Sequence, residues 1–313
     1  MTRKIHRRGG GLDTPQTRPA RPPAKKAHGL SERPRPREDS PEKSAARPAR
    51  QPRSADVVRI YGFHSVIAAL RAPRRKLIRL YATAAAAERL AEEIAARGLE
   101  TRILSADEIA LRAPRDAVHQ GLLLEARPLE PIDISELPAK GLVVVLDQVT
   151  DPHNVGAILR TAAAFAVDAL VTTERHSPEF TGALAKSASG GLEHVPICSV
   201  TNLARALGEL GDLGYWRVGL DSEAPQTLAA AQLARPLALV LGAEDKGLRR
   251  LTREHCDVMA RLDLPGAIKS LNVSNACAIA LAIASGKLSE PAQQTRLTHG
   301  DGANSAAGPS SRS

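Results

Sequence analysis

The clearest alternation of apolar and polar stretches in the chain falls at residues 141–171, GLVVVLDQVTDPHNVGAILRTAAAFAVDALV. Residues 142–146 are apolar without interruption, as a strand covered on both faces must be. A polar turn follows over 147–154. From there Val155, Ile158, Leu159, Ala162 and Val167 recur at helical intervals, which predicts a helix. Pro152 and Asn154 sit where the loop passes into that helix, and 167–171 is apolar again. Strand, polar loop, helix and strand make the βαβ grammar of an α/β sheet.

The same reading extends in both directions. Upstream, residues 58–126 alternate as a small α/β module. Val66, Ile67 and Leu70 form the apolar side of a first helix, and 77–81 is a strand. A helix is predicted over 84–97 with Leu90, Ile94 and Ala95 inward. A short strand over 101–104, a helical turn opened by Ser105 or Asp107, and a last strand over 122–125 complete it. Residues 127–140, with three prolines, read as a linker. Downstream, 141–288 is a second α/β domain. Its strands are predicted at 195–200, 215–220, 236–241 and 258–262, and its helices at 202–210 (capped by Thr201), 248–254 and 272–284. The last of these is apolar on nearly every face, so it needs cover on two sides. A second copy of the chain is the expected cover, and a homodimer the expected assembly.

Composition divides the chain further. Residues 1–56 carry 15 Lys and Arg against 6 Asp and Glu, which accounts for the whole chain's net +9 (43 against 34) and leaves the remainder balanced at 28 against 28. A Pro- and Arg-rich segment without apolar runs is expected to be a disordered basic tail, here 1–57, and 289–313 a second polar tail. A basic arm on a neutral body suits a polyanion such as RNA. Aromatic residues make up only 2% of the chain, with one Trp, which argues against an RNA surface built on stacking. No secretory leader and no 18-residue apolar stretch is present, so no membrane is implied. Three scattered cysteines (Cys198, Cys256, Cys277) show no zinc spacing and suit a reducing, cytoplasmic setting. Arg71, Arg74, Arg75, Lys76 and Arg79 form a basic patch in the first module, open to phosphate contact or simple solvation.

Three polar loops each follow an apolar strand: 147–154, 242–247 (GAEDKG) and 265–272 (PGAIKSLN). Converging at one edge of a parallel sheet, they would form a ligand pocket. No GxGxxG, phosphate-binding GxxxxGK[ST] or GxSxG pattern follows a strand, and His153, His194 and His255 lack metal-ligand spacing. Taken alone, Asn154 reads as a helix cap and Arg160 as a solvated arginine.

In content and order the loops resemble a known family. LDQVTDPHNVGAILRTAAAF is similar to motif 1 of the SpoU/TrmH class of SPOUT methyltransferases, LVLGAEDKGLRRL to motif 2, and LDLPGAIKSLNVSNACAIAL to motif 3. Residues 60–125, with RIYGFHSVIAAL and VHQG, resemble the L30e-type RNA-binding domain. Together with GGLEHVP and SLNVSNA, the resemblance is greatest to bacterial 23S rRNA guanosine 2′-O-methyltransferases. It implies a parallel sheet with a C-terminal trefoil knot, a homodimer, bound S-adenosylmethionine with no metal, and large-subunit ribosomal RNA as partner. It also implies site residues. Asn154, Arg160, Glu244 and Asn272 match catalytic positions. Leu241, Gly242, Leu262, Leu264, Ser270, Leu271 and Ser274 match positions around the cofactor. Glu193 matches an acidic position beside the site and joins Arg71, Arg74, Arg75 and Lys76 as an expected substrate contact. Leu264 departs from the methionine of many relatives, with little expected consequence for a backbone and apolar contact. The rival readings are a transfer-RNA 2′-O-methyltransferase of the same family and a non-catalytic RNA-binding or ribosome-associated protein.

Overall fold

The computed structural model describes residues 57–289, apart from residues 116 and 181. The basic arm and the polar C-terminal tail expected from composition lie outside the described residues.

The first sheet holds β1 (Val58–Tyr61), β2 (Leu77–Ala82), β3 (Thr101–Ile103) and β4 (Leu122–Ala126) in the order β1-β4-β2-β3. β4 runs antiparallel to both neighbours, and β3 is parallel to β2. Helices α1 (Phe63–Arg71), α2 (Ala84–Arg89), α3 (Ala91–Arg97) and α4 (Ala106–Ala110) surround it. The single helix expected over 84–97 is broken at Leu90, whose φ of −118° and ψ of 17° leave helical geometry. Leu90 is fully buried while Ala95 is exposed. Sinking that leucine into the core turns the second segment off the line of the first. Ser105 opens α4 with a capping box closed by Glu108.

The second sheet has seven strands, all parallel: β5 (Leu142–Asp147), β6 (Ala169–Thr173), β7 (Ile197–Val200), β8 (Trp216–Leu220), β9 (Gln226–Thr227), β10 (Leu237–Gly242) and β11 (Val258–Arg261). Their order is β7-β6-β5-β10-β8-β11-β9. From β5 the chain builds outward on one side through β6 and β7, then crosses to build the other, so β5 and β10 flank the switch point where open α/β sheets bind ligands. Alternate side chains feed two layers. Leu142, Val144, Leu146, Leu237, Leu239 and Leu241 pack with α5 (Pro152–Ala164) and α10 (Val273–Ser289); Val143, Val145, Ala238 and Val240 pack with α8 (Leu203–Asp212). Cover on both faces is what the unbroken apolar run required. Short helices α6 (Gly182–Ala188), α7 (Gly191–His194) and α9 (Arg250–Glu254) complete the set.

Three further differences from the pattern reading have local causes. Asn202 rather than Thr201 caps α8, its side chain accepting from the Arg205 N–H at 3.1 Å. β9, only two residues long, is too short to carry a period. Residues 127–140 are not a free connector: Ile134 and Leu137 are buried in the α8-side layer, and Asp133 and Glu136 cap a 3₁₀ turn between them. The cysteines are unpaired, and burial pushes the thiols of Cys198, Cys256 and Cys277 up to about 12. No helix among the described residues is long and apolar enough to cross a membrane.

Candidate active site

Asp147 and Gly242 are register partners at the ends of β5 and β10, so the 147–154 and 242–247 loops leave the sheet side by side. Asp147 is fully buried, and its carboxylate accepts from the Arg249 backbone N–H (3.0 Å) and Nε (2.6 Å). It thereby ties the far end of the second loop back to β5. An aspartate closing an otherwise apolar strand was the only sequence signal for this clamp. At Gly242 an added Cβ would lie 2.2 Å from the Gly247 carbonyl carbon; only glycine lets this loop close so tightly on itself.

The cap of α5 is Asp151, whose side chain accepts from the His153 N–H at 3.0 Å, with Pro152 as the first helical residue. Asn154 is therefore released from capping and meets the other two loops. Its Nδ2 donates to Glu244 Oε1 at 3.0 Å. Asn272 Nδ2 donates to the same Glu244 oxygen at 2.7 Å and to Asn154 Oδ1 at 2.9 Å, and the Val273 N–H adds a further bond to Glu244 at 3.2 Å. Ser274 donates through its N–H and Oγ to Asn272 Oδ1, at 2.9 and 2.5 Å, fixing which way that amide faces. One carboxylate oxygen of the second loop thus gathers donors from the first and third, and loops so tied are pre-organised for a ligand.

Beside this cluster lies a cleft of about 350 Å³, within the size range of small-molecule sites. Leu241, Gly242, Leu262, Leu264, Ser270 and Leu271, all expected from the motifs, line it; Ser274 instead supports Asn272. The turn after β8 contributes Asp221, Ser222 and Glu223, which the sequence reading missed because that turn carries no motif. Asp221 is ion-paired with Arg253 at the rim. Among the described residues, no three His, Cys, Asp or Glu side chains group to hold a metal ion.

The remaining expected residues fall elsewhere. Arg160 is exposed on α5, six residues beyond Asn154. On a helix that is about 9 Å along the axis and about 120° around it, so Arg160 stands outside the Asn154–Glu244–Asn272 cluster, without a hydrogen bond or ion pair among the described residues. Arg75 and Glu193, expected to face RNA, are buried against each other, with side chains only 2% and 3% exposed and joined at 2.5 Å. This pair is a strut between the turn ahead of β2 and the later helix α7 (Gly191–His194), and offers nothing to a ligand. Arg71 and Lys76 do lie at the surface, paired with Glu93 and Glu130, and Arg74 is exposed.

Comparison with known proteins places this geometry. Residues 141–282 match the SpoU rRNA Methylase family model, and residues 59–132 the model for RNA 2′-O ribose methyltransferase substrate binding. A Ralstonia nicotianae protein named 23S rRNA (guanosine-2′-O-)-methyltransferase RlmB is 41% identical over 231 residues, 71% of this chain and 92% of its own. The Pseudomonas putida protein of the same name is 38% identical over 234 residues, 71% of this chain and 94% of its own. Among solved structures, a putative RNA methyltransferase of the TrmH family from Porphyromonas gingivalis is 25% identical with a TM-score of 0.60, covering 73% of this chain and 89% of that one. The SpoU methyltransferase AviRb from Streptomyces viridochromogenes, in complex with AdoMet, shares the fold at 19% identity, with a TM-score of 0.64 and coverage of 73% and 89%. With relatives at this identity along nearly their whole length, and its seven-stranded half matched by the family model, the chain belongs to the SpoU rRNA Methylase family.

Proposed function

We propose that the protein is an S-adenosylmethionine-dependent enzyme that methylates the 2′-oxygen of a guanosine ribose in 23S ribosomal RNA. The names of its relatives, the substrate-binding match over 59–132 and the absence of any rival motif support this reading. The observation that carries it is the bonding of Asn154, Glu244 and Asn272 across three loops, beside a cleft that suits the cofactor. Apolar walls from Leu241, Leu262, Leu264 and Leu271 suit a flat heterocycle, while Asp221, Glu223, Ser270 and the tightly closed backbone at Gly242 offer polar groups to a sugar and a cation. These residues would hold S-adenosylmethionine, which when bound supplies a methyl group on a cationic sulfur, itself an excellent leaving group.

The difficulty then lies with the nucleophile, because a ribose hydroxyl is scarcely ionised at neutral pH. Alignment of the 2′-oxygen can supply several kcal/mol of the barrier. Asn154 and Asn272, locked by Glu244, present fixed amides at the cleft edge for that alignment. Arg160 is assigned to grip the phosphate beside the reacting ribose and to stabilise negative charge developing on oxygen; its high pKa makes it a poor base. We assign Arg160 to the site of the second subunit of a homodimer. Two observations support this: it lies outside its own subunit's cluster, and α10 leaves a stripe of Asn275, Ile279, Ala282 and Gly286 exposed, an uncharged seam centred on Ile279 and suited to a second copy. The family's trefoil knot and a cytoplasmic location belong to the same proposal.

The test is in vitro methylation of 23S rRNA and of transfer RNA with the purified protein, read by mass spectrometry of nuclease digests. A single methylated guanosine in 23S rRNA is expected. Methylation of transfer RNA alone would redirect the assignment, and no methylation of either would end it.

A further inference from the structure

The joint between the two sheets gathers cations beside the start of α1, whose first N–H is satisfied by a side chain from another turn. Gln120, in the 118–121 turn before β4, has φ +53°, a left-handed conformation uncommon outside glycine and often retained for function. Its Oε1 accepts from the Phe63 N–H at 2.9 Å and from Lys186 Nζ at 3.2 Å. Lys186 belongs to α6, on the other side of the joint. Its ammonium has this one neutral partner and no ion pair among the described residues. Room for it is made at Gly62, where an added Cβ would lie 2.3 Å from Nζ. Arg89 stacks over the Phe63 ring at 4.2 Å, adding a second cation that has no ion pair among the described residues. The next residue on α6, Ser187, donates to the His153 carbonyl at 3.0 Å, directly ahead of Asn154.

Two cations without acidic partners among the described residues, one of them held by a neutral amide and next in sequence to a residue bonded to the candidate catalytic loop, are arranged for an anion that comes from outside the protein. We propose that Lys186, oriented by Gln120 and flanked by Arg89, binds a backbone phosphate of the RNA substrate where the two modules meet. RNA held there spans from the substrate-binding module to the 147–154 loop. Lys186 supplies charge, and Gln120 is a positioning residue. The inference rests on the RNA methyltransferase reading above.

The experiment measures binding of a 23S rRNA fragment by fluorescence anisotropy across a salt series. K186M and Q120E are the variants, and K186R the control. Q120E keeps an acceptor for both Phe63 and Lys186 but places a negative charge beside the ammonium. Loss of one phosphate contact should lower the slope of log Kd against log salt by about 0.7–0.9 and weaken binding about five- to eightfold near 0.1 M salt. K186M and Q120E are expected to show both effects, and K186R neither. Melting curves and calorimetric titration with S-adenosylmethionine are expected to match wild type for all three. An unchanged slope in both K186M and Q120E overturns the proposal, as does weaker binding with an unchanged slope, which marks a packing role. If K186M does not fold, Q120E decides. Wild-type methyl transfer to the same fragment is measured alongside, so failure of this contact is distinguishable from failure of the methyltransferase reading.

Discussion

Two basic regions of the molecule invite comparison. The run from Arg71 to Arg79 is dense in positive charge, yet Arg71, Arg75, Lys76 and Arg79 are all matched by carboxylates, Glu93, Glu193, Glu130 and Glu100. Helices α5 and α6 carry few cations, but Arg160 and Lys186 among them have no acidic partner among the described residues. Charge density along a sequence is therefore a poor guide to charge available for a ligand. A cation held by a carboxylate must give up that partner before it gains a phosphate, whereas an unpaired one pre-arranged by neutral groups gives up only water.

The largest effect expected from this contrast is at Arg160. R160A should reduce turnover roughly 10²–10³-fold with cofactor affinity unchanged, measured by methyl incorporation and calorimetry. Near-normal turnover would remove Arg160 from the mechanism. Mixing R160A with N154A in equal amounts, with subunit exchange, should restore about a quarter of wild-type activity if Arg160 serves the partner's site; no recovery places it in its own.

Next is the buried strut. R75M leaves the Glu193 carboxylate without its partner in a dry joint, and should cost about 3–5 kcal/mol of stability in urea unfolding. A loss below about 1 kcal/mol, the range of exposed pairs, would mean that water reaches the pair. Removal of residues 1–56, where all the net charge resides, should weaken RNA binding about tenfold or more near 0.1 M salt and flatten its salt dependence. An unchanged slope would deny that segment an RNA-binding role. The smallest effect is expected at R71A: its guanidinium is already held by Glu93 at 2.6 Å, so the salt slope should fall by less than about half a unit. A drop as large as that of K186M would erase the contrast between the two regions.

Much of this was readable along the chain. The apolar run at 142–146, the period change at Val155 and the apolar last helix are local patterns, and burial on both sides of a parallel sheet leaves such patterns nowhere else to go. The three polar loops were visible for the same reason, since each interrupts apolar sequence at a strand end. Their family resemblance pointed to Asn154, Glu244 and Asn272 before any geometry was known.

What the sequence could not disclose was partnership. Whether Asn154 caps its helix or is freed by Asp151 depends on a choice between two nearby polar residues, and the gain from meeting Glu244, 90 positions away, appears only after folding. Arg75 and Glu193 looked like surface charge because nothing local signals that two segments 118 residues apart will close over them. Asp221 and Glu223 reach the cleft because β8 lies beside β10 in the sheet. Sequence period determines which face of an element is buried. Strand order and loop convergence decide which polar groups meet, since hydrogen bonds and ion pairs act over a few ångströms in space, however far apart their residues lie along the chain.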